Sequence, residues 1–296
     1  MKSTCLFALF SLLLCTAGSA APQSGSWKAV DEAMGRQGQD QPDGVHRFSM
    51  PRSDLKVSAN GVEIKPGFAL GSWAAFRTMG THTDVMGDLV LTDSEVGPVM
   101  QKLVDSGVEI TAVHNHLLNE SPHIMYMHIH GQGDAVKLAS SLHDALAVSK
   151  TPAAAPAPAG APPSLGFDGK ELDTILGQSG KNNNGIYQYS LPRAEKITDG
   201  GMTVPNSMGV TTGINFQPTG TGKAAITGDF VLIAKEVNPV IKALRQNGIA
   251  VTALHSHMLD EQPRLYFMHF WANDDATKLA KGLRAALDQT NSAKPK

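Results

Sequence analysis

The feature that most constrains this chain is that it repeats itself. Residues 107–146 read GVEITAVHNHLLNESPHIMYMHIHGQGDAVKLASSLHDAL, and residues 248–287 read GIAVTALHSHMLDEQPRLYFMHFWANDDATKLAKGLRAAL. The two blocks align without a gap. The same offset carries Gly87-Asp88 onto Gly228-Asp229, Glu95 onto Glu236, Pro98 onto Pro239, and Ser49-Met50-Pro51-Arg52 onto Ser190-Leu191-Pro192-Arg193, with small insertions or deletions around residues 53–86. Self-similarity over so long a period means a duplicated domain, and 296 residues leave room for about two. Between the copies, residues 149–164 read SKTPAAAPAPAGAPPS, a composition that makes a semi-extended linker. The domains therefore run over 25–148 and 165–292.

Each copy has one coarse layout. A short helix near 27–36 opens the first, and an extended segment ends in Pro51-Arg52. Irregular strands follow, including Ser72–Thr78, then a strand at Gly87–Thr92. A helix over 94–106 carries Pro98 in its first turn, where proline is tolerated, and is closed by Gly107. A strand at 108–116, a return strand at 123–130 and a helix over 133–147, with Asp134 near its start, complete the copy. The β-α-β-β-α order predicts an α+β fold, a tandem duplication of an antiparallel or mixed sheet with helices on one face.

The start of the chain reads as an export signal over residues 1–21: Lys2, an apolar run from Leu6 to Cys15, then small residues Ala17 to Ala21. The run is short for a membrane span, so no transmembrane segment is expected in the mature form. A lipid anchor through Cys15 is the poorer reading, because Leu14 stands where a small residue is preferred. Periplasmic or secreted placement follows. Cys5 and Cys15 are the only cysteines, so the mature chain offers no disulfide and no thiolate ligand. A net charge of −2 without a basic run argues against nucleic acid as a partner.

That leaves histidine as the chemistry-bearing residue. The first copy has His114, His116, His123, His128 and His130; the second keeps His255, His257 and His269. In a strand, residues two apart share a face. If the two strands form a hairpin pairing His116 with His128 and His114 with His130, four imidazoles share one face as two cross-strand pairs. Opposed Cβ atoms then lie about 4.5–5.5 Å apart, close enough for two imidazoles to share a zinc at about 2.0–2.1 Å from each nitrogen. In the second copy His257 faces His269, and Trp271 replaces the fourth histidine. The predicted metal ligands are thus His114, His116, His128, His130, His255, His257 and His269. The alternative is a set of sheet histidines satisfied by hydrogen bonds.

Imidazole suits zinc, with copper as second choice. Met127 and Met268 alternate to the opposite face and read as core. Glu120 and Glu261, four residues after each His-x-His, are candidate general bases on metal-bound water or further ligands. The His-x-His-x-x-x-Glu spacing also occurs in cupins, but a cupin wants glycine where Met127 and Met268 stand, and the flanking helices do not fit a jelly roll. Arg52 and Arg193 suit an anion or a local ion pair. Asp88 and Asp229, after glycine, read as turn residues or as partners of a histidine. His46, His82 and His143 lack counterparts and are expected at the surface, and Arg264 replaces His123, which is therefore not a predicted ligand.

The blocks GDLVL…EVGPVMQKLVDSGVEITAVHNHLLNESP and GDFVL…EVNPVIKALRQNGIAVTALHSHMLDEQPRLYFMHFW resemble the LppY/LpqO family of exported bacterial proteins, as two family units spanning essentially the mature chain. The resemblance implies export, often with lipidation, and assigns no catalytic residue. The expected function is an exported divalent-metal-binding protein with a possible small-molecule ligand. The alternatives are a metal-dependent hydrolase or lyase using Glu120 or Glu261, and a metal-free binding or scaffolding module.

Overall fold

The computed structural model describes residues 27–153 and 161–293; the leader with Cys15 and the middle of the linker lie outside them. Each copy forms a six-stranded, wholly antiparallel sheet. In the first the order is Gln39–Gln41, Val45–Pro51, Gly71–Met79, His82–Thr92, Ile124–Gly133, Glu109–His114. In the second it is Lys181–Asn183, Ile186–Pro192, Thr211–Gly220, Lys223–Leu232, Tyr266–Asp275, Ala250–His255. The duplication read from the sequence is therefore a duplication of architecture.

Helices cover one face of each sheet, as expected: Trp27–Met34, Asp93–Asp105 and Ala135–Leu146 in the first copy, Gly169–Leu176, Ala234–Gln246 and Ala276–Leu287 in the second. Phe48, Phe76, Leu89, Met127 and Leu142 fill the first helix–sheet core; Phe216, Phe230, Met268 and Leu283 fill the second. Met127 and Met268 are thus core residues. The other sheet faces meet each other. Val90 and Tyr126 pack with Ile186 and Trp271 at one end, and Val45 and Met86 with Val231 and Phe267 at the other. The result is a helix–sheet–sheet–helix stack with pseudo-twofold symmetry. It explains why His82–Thr92 is buried along nearly its whole length: both of its faces are covered.

The helix after that strand starts directly at Asp93, because Glu95 reaches back to accept from the Thr92 N–H at 2.8 Å. Pro98 consequently falls in the second turn and not the first. The same glutamate binds Arg52 (2.7 Å), which is fully buried and also pairs with Asp54 (2.8 Å). Arg193 repeats the arrangement with Glu236 (2.7 Å) and Glu195 (2.8 Å). The Pro-Arg motifs therefore tie strand to helix through the chain's own carboxylates.

The repeated Gly-Asp pair has a packing reason. A Cβ on Gly228 would overlap the Gly213 carbonyl of the neighbouring strand, so only glycine allows that approach. Gly228→Ala should lower stability by about 2–3 kcal/mol, the scale of overpacking a rigid core, read as a lower urea midpoint. An unchanged midpoint would mean that the strand can shift freely.

Candidate metal centre

The histidines occupy the buried seam between the sheets. The strand Glu109–His114 pairs with Ile124–Gly133 in a register that sets Ala112 opposite His128, His114 opposite Tyr126 and Glu109 opposite His130. On the His114 side of the bulge this differs by four residues from the hairpin expected above, and beyond the bulge by five. An even slip preserves which side chains share a face, so the histidines do point together, but the expected pairs do not form. Two facts drive the slip. A bulge at Thr111 interrupts the ladder between Ile110 and Ala112, and Ile110 pairs with Ile129 over the helix-side core. The strand ends at His114, so His116 stands beyond it in the loop.

Leaving the strand frees His116 to cross to the other copy. Its ring lies 3.8 Å from that of His269 and stacks on Tyr126 at 3.3 Å. The mirror pair is His257, 3.7 Å from His128 and 3.4 Å from Phe267. On the pseudo-twofold axis His114 stacks on His255 at 3.5 Å. Three groups that could hold a metal ion result, His114/His116/His269, His114/His128/His255/His257 and Asp229/His257/His269, each with ligand atoms within 4.8 Å of one another. The first two draw on both copies, and the third lies in the second copy. The sequence suggested one site inside each copy; the structure gathers six of those histidines at the seam between the copies.

Reciprocal hydrogen bonds hold this crossing. Thr111, the bulged residue, donates to the His257 carbonyl, and Thr252 donates to the His116 carbonyl, each at 2.6 Å. His269 Nδ1 lies 2.8 Å from the Gly228 carbonyl, so it carries the proton and donates; Gly87 serves His128 in the same way. Fixing the proton on Nδ1 leaves a lone pair on Nε2, as in a metal-ligating histidine oriented by a backbone carbonyl. The Nε2 atoms of all six histidines are buried without a hydrogen-bond partner. A native fold normally leaves only a few such groups per 100 residues; here six converge on one place.

Two carboxylates join them. Asp88 lies 3.9 Å from His116 Nε2 and from His128 Nε2, and Asp229 lies 3.4 Å from His257 Nε2. Both sit mid-strand, not in turns. Burial raises Asp88 to about 7, against the pull of Arg47, and pushes Asp229 well above the usual range. Burial also lowers the histidines: His114 to about 4 and His269 to about 3, with His116, His128, His255 and His257 well down, reinforced by mutual repulsion. The six imidazoles are therefore neutral and ready to ligate at neutral pH.

A depressed histidine stays neutral in the folded chain while the unfolded chain takes up a proton below about 6.5. Its stability contribution is complete above that value and is lost as the pH falls toward about 4 for His114. In metal-free protein, His114→Gln should flatten the acid limb of the stability–pH curve by up to about 1.4 kcal/mol per pH unit between those limits. Parallel curves for the two proteins would show that His114 titrates normally.

A family model matches the chain twice, over residues 28–148 and 170–289, one match on each sheet with its helices. The chain belongs to the family described as Domain of Unknown Function (DUF1259). No curated protein matches it. Two solved structures are similar over most of their length. One is a trimeric bacterial microcompartment shell protein PduB (10% identity, 86% of this chain and 95% of that chain, TM-score 0.22). The other is EtuB from Clostridium kluyveri (8% identity, 85% and 91%, TM-score 0.20). Likeness at those TM-scores supports no conclusion about this DUF1259 chain.

The other predicted residues lie outside the centre. His130 stands opposite Glu109, with Nδ1 3.4 Å from its carboxylate, and lines a separate cavity with Asp84 and Asp199. Its counterpart Trp271 packs on Phe68. Glu120 and Glu261 brace the loop after each His-x-His, accepting from the Ile124 and Leu265 N–H groups at 3.1 and 2.8 Å. Among the described residues neither glutamate forms an ion pair with a histidine of the centre; Glu261 pairs with Arg264. The carboxylates at the centre are Asp88 and Asp229. Their signal was in the sequence, as the Gly-Asp pair retained in both copies, but only a strand placement turns it toward the histidines. His123 is exposed on Asp93, consistent with its replacement in the second copy. His143 is exposed, whereas His46 is buried between Asp31 and Asp40, contrary to expectation. Trp27 stacking at 5.1 Å makes His46 part of the packing under the first helix.

Proposed function

We propose that this DUF1259 chain is an exported divalent-metal-binding protein whose centre lies between its two copies, with zinc as the favoured ion and copper second. The observation that carries this reading is the convergence of six buried, unpartnered Nε2 atoms with two carboxylates. Eight donors suffice for two four-coordinate ions. His114 and His255 on the axis, with His116, His128, His257 and His269 around them, would hold the metal; Asp88 and Asp229 would complete it. The apolar leader and the resemblance to LppY/LpqO proteins support export. Among the described residues no helix is long and apolar enough to cross a membrane.

A metal-dependent hydrolase or lyase is the second reading, favoured by one observation: a cavity of about 720 Å³ opens onto His116, His128, His257, His269, Asp88 and Asp229. A ligand can therefore reach the centre.

The test is elemental analysis of untagged protein from the periplasm, beside a His114→Ala/His255→Ala variant. About two zinc ions per chain, lost in the variant, is the expected result. Metal-free protein that also fails to take up zinc or copper on dialysis would leave the histidines as packing residues of a binding module.

A further inference from the structure

We propose that the cavity beside the histidine centre binds a small molecule carrying a carboxylate or phosphate group, and that Arg47 holds that anion while the rest of the ligand faces the centre. This names the ligand class for the metal reading above and rests on it only for what the far end of the ligand meets.

Arg47 is the single lysine or arginine on the cavity wall. Its guanidinium lies 3.9 Å from the centre of the Trp73 ring, and its Nη1 donates to the Ser207 carbonyl of the other copy at 2.5 Å. The fork is thus held over the indole and pinned at one corner, which leaves its other N–H groups to receive an oxyanion. Among the described residues no carboxylate lies within 4.0 Å of it, whereas Arg52 and Arg193 each pair with two. Asp88 acts on it only from beyond contact distance; a half-buried cation without a contact partner is costly, and an anion from outside can take that place.

Departure from the internal symmetry makes the same point independently. The histidines and aspartates of the centre are the same in both copies. The two residues that build the anion cradle are not. Arg47 pairs across the sheet with Ala75, and its counterpart Gln188 pairs with Asn215. Trp73 pairs with Asp88, and in the second copy Gly213 pairs with Asp229. Both cation and platform exist on one side only, so a pseudo-symmetric centre is given a one-ended approach. Arg47 and Asp88 stand two strands apart and two residues out of line, about 12 Å between Cα atoms at ordinary strand spacing and rise; a ligand a few atoms long spans the gap between the guanidinium and the histidines.

Isothermal titration with succinate and, separately, inorganic phosphate tests this on the full chain, zinc-loaded and chelator-stripped. One site per chain is expected for at least one of the two anions, and the arm that binds tells carboxylate from phosphate. Arg47→Gln copies the second unit's residue, so it should fold with an unchanged melting temperature. It should weaken binding at least about tenfold, a loss of about 1.4 kcal/mol, while Arg77→Gln outside this cavity should not. Binding lost in Arg47→Gln but kept in stripped protein would uphold the anion site even if the metal reading failed. Equal affinity in wild type and Arg47→Gln, or no binding of either anion at millimolar concentration, would overturn it.

Discussion

Arg52→Met is expected to destabilise the protein by about 3–5 kcal/mol, the range for breaking a buried ion pair from one side. Arg52 has no exposure and its guanidinium binds Glu95, Asp54 and the Val90 carbonyl. Burial alone would raise the Glu95 carboxyl, but hydrogen bonds from Arg52 and from the Thr92 and Lys150 N–H groups outweigh it and hold it below its usual range. Removing the arginine leaves that carboxylate buried with two backbone donors. It then either carries an uncompensated charge or takes up a proton. The double variant Arg52→Met/Glu95→Gln should recover much of the loss, because an amide at the glutamate position still accepts from the backbone without the charge. Urea unfolding of the wild type, Arg52→Met, Glu95→Gln and the double variant measures the coupling. A single-variant loss below about 1 kcal/mol, the scale of an exposed pair, would mean that the network does not bear on stability. Arg193→Met should behave alike, since Glu236 repeats the contacts in the second copy.

Zinc should raise the melting temperature steeply, and a chelator should reverse the rise. An ion that binds only the folded chain adds about 4 kcal/mol at a thousandfold excess over Kd, and each kcal/mol moves the transition of a chain of this size by about 2–4 °C. A shift of about 8–16 °C follows. Because two of the three ligand sets draw on both copies, the gain belongs to the whole chain. One transition should move as a unit, and His255→Ala alone should reduce the shift for both halves. Two transitions, only one of them zinc-dependent and insensitive to His255, would place the ion inside a single copy and refute the shared centre. Metal affinity should also fall in acid, as ligation requires neutral imidazoles and ionised carboxylates.

The sequence by itself determined the duplication, the α+β order of each copy and the face on which the histidines lie. These follow from local rules: a repeat is visible in one chain, alternation assigns faces, and glycine and an N-cap aspartate bound the helices, as Gly107 and Asp134 do. Met127 was placed in the core by the same alternation. What the sequence could not determine depended on contacts between residues far apart in the chain. The register slipped by four residues because of a bulge and a core pairing at Ile110, neither of which alternation encodes. His130 fell out of the centre for that reason. His116 entered it from outside its strand, against the histidine of the opposite copy. Asp88 looked like a turn residue beside its glycine, and Glu120 like a base beside its histidines; burial between two sheets reversed those roles. A repeat tells how many copies exist, and not which surfaces they present to each other. Tertiary structure decided that by burying the histidine face of each sheet against the other. In that dry seam, two copies bring their unpartnered imidazoles together.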